Sequence, residues 1–537
     1  MAKFHKNPIF FLHILIFFHQ FDVLISQPTH SPILNCLNNQ KITNFTLHPT
    51  SNHHSSLHYN HLLKFSLQNL RFASESTPKP TAIIIPDTKV QLINSVLCCR
   101  RSALEIRIRC GGHSYAGMSS IPRGNSPFVI IDMMNLNRVI VDLESETAWV
   151  EGGATLGELY SAIADHSSYY GFPGGVTPTV GVSGHFSGGG IGVMGRKYGL
   201  SADNIMDVDL VDPDGYVLGR AEMGEEVFWA LRGGGGGNWG VVYRWKVQLV
   251  HVPKKVTCFF VTKQAPINEL AKLVYKWQFV APFMDDSFHI SIYLTASTSK
   301  DVYLTFLGFY LGSKLEAIKI IDRQFSELKI RQEEYLEMSW IESVLFFSSL
   351  PKGSTTRDLK SRYWSSKSYI KTKSDYVREP VSIEGLTGAL EMVALEPRGL
   401  FLLDPYGGIM DQISSDSIAF PHRKGNIYNI LYALLWGEGD DEDRCLSWIN
   451  RFYDYMTPFV ASNPRAAYVN YIDLDLGITD FANSNDNIVE KARAWGEKYF
   501  LGNYDRLVKA KTIIDPNNVF HHQQGIPPSN VKTHDEL

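Results

Sequence analysis

Three glycine-rich stretches carry the residues with chemistry to offer. The densest runs Gly171-Phe172-Pro173-Gly174-Gly175-Val176-Thr177-Pro178-Thr179-Val180-Gly181-Val182-Ser183-Gly184-His185-Phe186-Ser187-Gly188-Gly189-Gly190, with Gly192 just beyond. So many residues without a Cβ let the backbone close on a ligand and aim successive N–H groups at anionic oxygens, as a pyrophosphate requires. A phosphate-bearing cofactor is the natural occupant, although such glycines also serve tight turns that hold no ligand. Arg232-Gly233-Gly234-Gly235-Gly236-Gly237-Asn238-Trp239-Gly240 forms the second stretch, ahead of an extended run that begins Val241-Val242. The third, Arg109-Cys110-Gly111-Gly112-His113-Ser114-Tyr115, is a glycine turn that presents an imidazole. A neutral imidazole is a nucleophile able to bond to a cofactor carbon; the plainer alternative is a hydrogen-bonded structural histidine. Three clusters in one chain favour a single extended cofactor bed over three unrelated loops.

Elements must position these turns. Leu104 to Arg109 alternates as a strand that delivers His113 to its turn, after a helix on which Val90, Ile93, Val96 and Leu97 share a face. Phe128 to Asp132, Arg138 to Asp142 and Thr147 to Glu151 read as further strands, and Thr155-Leu156-Gly157-Glu158 is a capping box opening a helix toward Ala164. The pattern is α+β without regular βαβ spacing. No strand leads into G-x-G-x-x-G with an acid about twenty residues on, which disfavours a Rossmann site. From about Val256 to Met456 the texture changes to amphipathic helices such as Ile267 to Phe279 and strands such as His289 to Thr295, Val302 to Gly308 and Ile427 to Tyr432. The expected organisation is a leader over 1–26, a cofactor domain over 27–252 and a substrate domain over 253–467. A segment over 468–528, with a helix from Asn487 to Tyr499, completes the cofactor domain, and 529–537 form a tail.

Lys3 and Lys6 precede the apolar stretch Pro8 to Phe18, which reads as a secretory signal peptide too short to span a bilayer. His534-Asp535-Glu536-Leu537 matches the retrieval signal of the endoplasmic reticulum. Together they address the chain to that compartment or vesicles derived from it, with vacuolar delivery or secretion as the alternative. An oxidising lumen permits disulfides among the six cysteines, whose pairing the sequence leaves open. Asn44-Phe45-Thr46 is a glycosylation acceptor. A net charge of −4 with no long basic run argues against nucleic acid and anionic membranes as partners. The eighteen histidines include no H-E-x-x-H and the cysteines show no zinc spacing, so no metal is expected. His53, His54, His58 and His61 mark a solvated segment.

The segments Arg109 to Tyr115, Gly184 to Gly190, Phe228 to Gly235, Tyr468-Val469-Asn470-Tyr471-Ile472-Asp473 and Asp515-Pro516-Asn517-Asn518-Val519-Phe520 resemble, in order and over nearly the whole chain, the berberine bridge enzyme-like family of FAD-linked oxidases. The resemblance implies the vanillyl-alcohol-oxidase/PCMH-type FAD-binding fold with a separate α+β substrate domain above the flavin ring. It also implies a Cys36–Cys98 disulfide and a flavin tethered through His113. Relatives add a second tether through a cysteine where this chain has Thr177. A hydroxyl is no thiolate, so one covalent bond is expected, through His113 only. Cys110, where relatives have serine, is expected to be a buried thiol. Further cofactor contacts carried over are Arg109, Gly111, Gly112, Ser114, Met118, Val180, Gly181, Gly184, His185, Gly188, Gly189, Gly192, Asn204, Gly240, Val242 and Asn470.

Val180 matches the position that leaves room for dioxygen, which implies oxidase behaviour with peroxide as co-product. Tyr471 matches the active-site tyrosine, Tyr115 lines the same pocket, and Asn429 lies on a strand where relatives often carry an acidic or amide side chain. Two positions depart from the alcohol-oxidising pattern: Ile191 replaces a second tyrosine, and Leu431 shares the Asn429 face. An alcohol must lose an O–H proton of high pKa, whereas a tertiary amine can expel hydride with its own lone pair. The alkaloid branch is therefore expected, a monomer taking dioxygen and a tertiary amine; Thr177 at the tether position together with the retrieval tail resembles members acting on a monoterpene indole alkaloid of the stemmadenine acetate type. The alternatives are an alcohol or carbohydrate oxidase, or a flavin-binding scaffold without turnover.

Overall fold

The computed structural model describes residues 32–49, 53–479 and 487–529. The leader over 1–26 and the retrieval tetrapeptide lie outside the described residues.

Phe45–Leu47, Ala82–Ile84, Phe128–Asp132 and Glu105–Arg109 form a four-stranded sheet in that spatial order. The last three run parallel, and only Phe45–Leu47 is antiparallel. Ala82–Ile84, the helix Lys89–Arg101 and Glu105–Arg109 thus make one βαβ unit, which the irregular spacing had hidden. Thr88 caps that helix by accepting from the Gln91 amide at 3.2 Å. The buried face is Leu92, Ser95, Val96, Cys98 and Cys99, while Val90 is 63% exposed. Of the expected face Val96 is buried, Ile93 and Leu97 are half-buried and Val90 is exposed; the inward side also carries Cys98, bonded to Cys36 on the helix Pro32–Asn39, the pairing the resemblance implied.

A second, five-stranded antiparallel sheet runs Val139–Asp142, Thr147–Glu151, Val241–Gln248, Ile205–Val211, Val217–Leu218. The helix Leu156–His166 beside it starts with the expected capping box at Thr155 and Glu158. The histidine-rich segment is helical, His53–Phe65, with His58 and His61 exposed.

The region after residue 252 is a seven-stranded antiparallel sheet. Its order is Leu336–Met338, Val256–Lys263, Val302–Tyr310, Phe288–Ala296, Gly399–Pro405, Tyr428–Trp436, Tyr369–Val377. Residues paired across strands share a face of the sheet. One face, including Ile292, Phe401, Leu403, Ile430 and Tyr432, packs with Val274, Trp277, Leu390, Val393, Trp448 and Phe452 of three helices into one core. The opposite face carries His289, Ser291, Tyr293, Leu402, Asp404, Asn429, Leu431, Ser374 and Tyr376, as the registers require. This face turns toward the glycine-rich half: the Ser374 hydroxyl accepts from the Tyr468 amide at 2.9 Å.

The chain then returns. The helix Tyr504–Ile514 packs on Arg220–Leu231, and its buried Lys511 ammonium donates to the carbonyls of Asn238 and Phe520, both at 2.6 Å, and to Asp515 at 2.7 Å. One cation thereby fixes the second glycine stretch to the C-terminal segment.

Candidate active site

A cavity of about 340 Å3 joins all three glycine stretches and the C-terminal segment. The turn after Glu105–Arg109 opens it. A Cβ on Gly111 would lie 2.4 Å from the Thr179 carbonyl oxygen, and Gly112, at φ +70°, would bring one within 1.8 Å of the Ser66 carbonyl oxygen. Only glycine lets the turn nest there and present His113. The Gln68 amide holds the Gly111 carbonyl at 3.0 Å, and the Ser114 hydroxyl accepts from the Met118 amide at 3.0 Å.

His113 Nε2 pairs with the Thr179 hydroxyl at 2.8 Å. Burial, helped by the Lys367 charge, lowers the imidazole to about 4, so the ring is neutral and nucleophilic at physiological pH. Thr177 lines the same cavity with Val180, Gly181 and Gly184. Cys110 also lines it, but burial pushes the thiol up to about 11 and it donates to the Ala154 carbonyl at 3.3 Å. It is a packed neutral thiol.

His185 Nε2 accepts from the Gly175 amide at 3.0 Å, and burial lowers the ring to about 4. The Asn470 amide donates to the His185 carbonyl at 3.0 Å, an approach so close that a Cβ on Gly188 would stand 2.0 Å from Asn470 Oδ1. Gly188 thus makes room for Asn470. Gly240 and Val242 line the far wall.

Several expected contacts stand back from the cavity. Arg109 is wholly buried in an ion pair with Asp132 at 2.7 Å and donates to the Leu62 and Leu63 carbonyls, so it braces the strand end. Gly189 faces Phe420 and Leu200, Gly192 faces the Gly174 backbone, and the Asn204 amide ties the Tyr198 and Leu200 carbonyls at 2.9 Å. These residues shape the bed from behind. Asn429 also lies outside the lining, on the sheet face above.

At the sheet end Tyr115 and Tyr471 meet edge-on with ring centroids 5.9 Å apart, and Tyr468 packs on Tyr471 at 4.8 Å. Burial, then the Asp404 charge, then Tyr115, raise the Tyr471 phenol well above its ordinary value. It is a neutral donor, with no cation beside it that would make it a base. Ile191 packs into the same cluster.

Reading by residue type alone missed Asp404 on that face, and His521, His522, Arg107 and Tyr499 along the cavity. A signal existed for three of them: Asp404 interrupts the apolar run Gly399–Leu403, and the two histidines follow Asp515-Pro516-Asn517-Asn518-Val519-Phe520 directly.

The match to known proteins is extensive. Residues 80–219 match a FAD binding domain family and 467–527 match the family described as berberine and berberine like. Berberine bridge enzyme-like D-2 of Nicotiana tabacum is 53% identical over 524 residues, covering 94% of this chain and 92% of that protein. The chain belongs to the berberine bridge enzyme-like family. Reticuline oxidase of Eschscholzia californica is 46% identical, covering 98% and 96%. The solved structure of berberine bridge enzyme from Eschscholzia californica superposes with a TM-score of 0.90 at 47% identity, covering 93% of this chain and 100% of that one. This berberine bridge enzyme-like protein is therefore an FAD-linked oxidoreductase with the α+β, PCMH-type FAD-binding fold. Its cavity suits the cofactor: glycine backbones crowd one wall, a neutral histidine faces it, and among the described residues no cluster of metal-ligating side chains competes. Glycines 235–237 and Gly111–Gly112 would receive the phosphate-bearing portion, and His113 the ring.

Proposed function

We propose that this protein is an oxygen-using oxidase of a tertiary amine, of the monoterpene indole alkaloid class represented by stemmadenine acetate. The observation that carries the reading is the charge of the sheet face. It holds one carboxylate, Asp404, with a histidine, His289, and with phenols, hydroxyls, an amide and apolar side chains, and no strand residue on that face is lysine or arginine. A cationic amine is complementary to such a wall; a phosphate or carboxylate substrate is not.

The cradle residues would hold FAD, which would supply a two-electron acceptor for the substrate, with dioxygen as the final acceptor. The protein's part is to place and discharge the substrate. Tyr115 and Tyr471 orient the molecule as neutral donors. Asn429, Leu431 and Ile191 offer no group to strip an alcohol O–H, whereas a neutral amine stabilises the departing hydride's cation itself. Val180, half-buried beside Thr177, leaves dioxygen its approach. Tethering runs through His113 alone. The relative named reticuline oxidase supports an alkaloid substrate, and the Thr177 departure with the retrieval tail resembles precondylocarpine acetate synthase. The protein acts as a monomer in the endoplasmic reticulum or vesicles derived from it.

Anaerobic titration of the yellow holoenzyme decides between substrates. A tertiary-amine alkaloid should bleach the flavin, and admitting air should restore colour with one peroxide per turnover. Bleaching by glucose or coniferyl alcohol but by no amine would replace this reading with alcohol oxidation, and no bleaching by any of them would leave a scaffold.

A further inference from the structure

Asp404 is the one acid among the strand residues on the side of the seven-stranded sheet that turns toward the C-terminal segment. Its side chain is 13% exposed and stands in register with Asn429 on the next strand. The nearest cationic candidate, His289 Nε2, is 3.6 Å away, and that nitrogen meets the Ser291 hydroxyl at 2.9 Å instead. Around this carboxylate three buried polar atoms have no hydrogen-bond partner: Asn429 Nδ2, Asn429 Oδ1 and His289 Nδ1. Orphaned polar atoms are costly in a folded core, and three on one patch, beside an acid without a close counter-ion, mark where ligand atoms belong.

We propose that Asp404 binds the ammonium nitrogen of the substrate and takes its proton, while Asn429 and His289 hydrogen-bond a neighbouring polar group such as an ester. The inference rests on the amine-oxidase reading and gives it a catalytic residue. An amine is protonated in water and cannot expel hydride in that form. On transfer the N–H bond breaks and an O–H bond forms on Asp404. Both charges vanish and the nitrogen regains the lone pair that an iminium needs. The groups facing Asp404 are His289, Tyr293, Tyr406, Tyr468 and Tyr471; the phenols are held neutral chiefly by burial, with the Asp404 charge adding to it. None of these phenols competes as a base. The carboxylate thus acts from the strand beside Leu431.

The test uses oxidised holoenzyme and two probes, N-methyl-1,2,3,4-tetrahydroisoquinoline and its neutral N-formyl analogue. Calorimetry without oxygen at pH 7 should show the amine binding at least tenfold tighter than the amide. Asp404→Asn should erase that preference, with flavin absorbance and thermal midpoint unchanged, and Asp404→Glu should keep part of it. Anaerobic bleaching of Asp404→Asn by the amine should fall about a hundredfold at pH 7 and recover as pH approaches the amine's own pKa, where solution supplies the free base. A cation preference that survives Asp404→Asn, or none in the unsubstituted enzyme, overturns the assignment. If the cation preference depends on Asp404 yet no amine bleaches the flavin, the oxidase reading fails and the cation site stands. If amines bleach the flavin equally well in both proteins, the oxidase reading stands and this one fails.

Discussion

Two neighbouring regions, the glycine-rich cradle and the sheet face that turns toward the C-terminal segment, are built in opposite ways. The cradle is mostly backbone: Gly111, Gly112, Gly181 and Gly188 stand where an added Cβ would collide with main chain or with Cys110 and Asn470. The sheet face is mostly side chain, on strands whose hydrogen bonds are satisfied regardless of what Asp404, Asn429 or Leu431 carry. A wall of backbone admits almost no substitution. A wall of side chains on a regular sheet can change every residue and keep its shape. On the function proposed above, the first would hold the cofactor and the second would choose the substrate.

The largest effect should come from Gly112→Ala. Its Cβ would sit 1.8 Å from the Ser66 carbonyl oxygen at a φ of +70°, a left-handed strain of about 1–2 kcal/mol before the clash is counted. Purified protein should come out colourless or not at all, whereas Leu431→Gln on the sheet face should be isolated with full flavin. Equal flavin content in both variants would erase the distinction between the walls.

Next in size, His113→Ala should leave the cradle folded but untether the cofactor. Acid-precipitated protein should then be white with the colour in the supernatant, where the unsubstituted protein gives a yellow pellet. A yellow pellet from the variant would move the tether elsewhere, with Thr177 and Cys110 the neighbours to inspect by peptide mass.

Acidification should weaken the fold through buried imidazoles. Burial lowers His185 to about 4 and His422 and His522 to about 3, with the Arg107 charge a further cause at His522 and Arg423 at His422. The unfolded chain takes up these protons near pH 6.5, so between about 6.5 and 4 it binds more protons than the folded one. Stability therefore rises with pH across that window and falls on acidification, by about 1 kcal/mol per histidine for each pH unit. Asp375, raised to about 6 by burial against the Arg465 charge, opposes this with a single proton. The urea midpoint should drop between pH 7 and pH 5, and a flat profile would contradict the buried neutral rings.

How much of this was legible beforehand follows the same division. Glycine spacing announced the cradle because backbone proximity leaves a residue-type signature. His113, Thr177, His185 and Asn470 all converge on one cavity. For Arg109 the sequence leaves two readings, a flavin contact or a residue that shapes the bed, and packing shows it spent on Asp132 and two carbonyls. The inward place of Cys98 and Cys99 on their helix is likewise set by tertiary packing that periodicity cannot carry. Asp404 escaped because strand alternation tells which residues share a face within one strand, while the partner face depends on a register between strands far apart in sequence.

The smallest effect is also the most pointed. Asn429 is 1% exposed and neither side-chain polar atom has a partner. If the sheet face served packing alone, this amide would be an unexplained cost of about 1–3 kcal/mol. Asn429→Leu, close in shape and free of polar atoms, should return some of that cost in the ligand-free enzyme and raise its thermal midpoint by about 2–4 °C, on the scale of about 1 kcal/mol for a large domain. The same variant should bind the amine substrate more weakly, because the ligand has lost the groups that would have satisfied it. Stability gained with affinity lost is the signature of a residue kept for a ligand. A variant that loses both would make Asn429 part of the scaffold, and the substrate would then be chosen by Asp404 and the phenols without it.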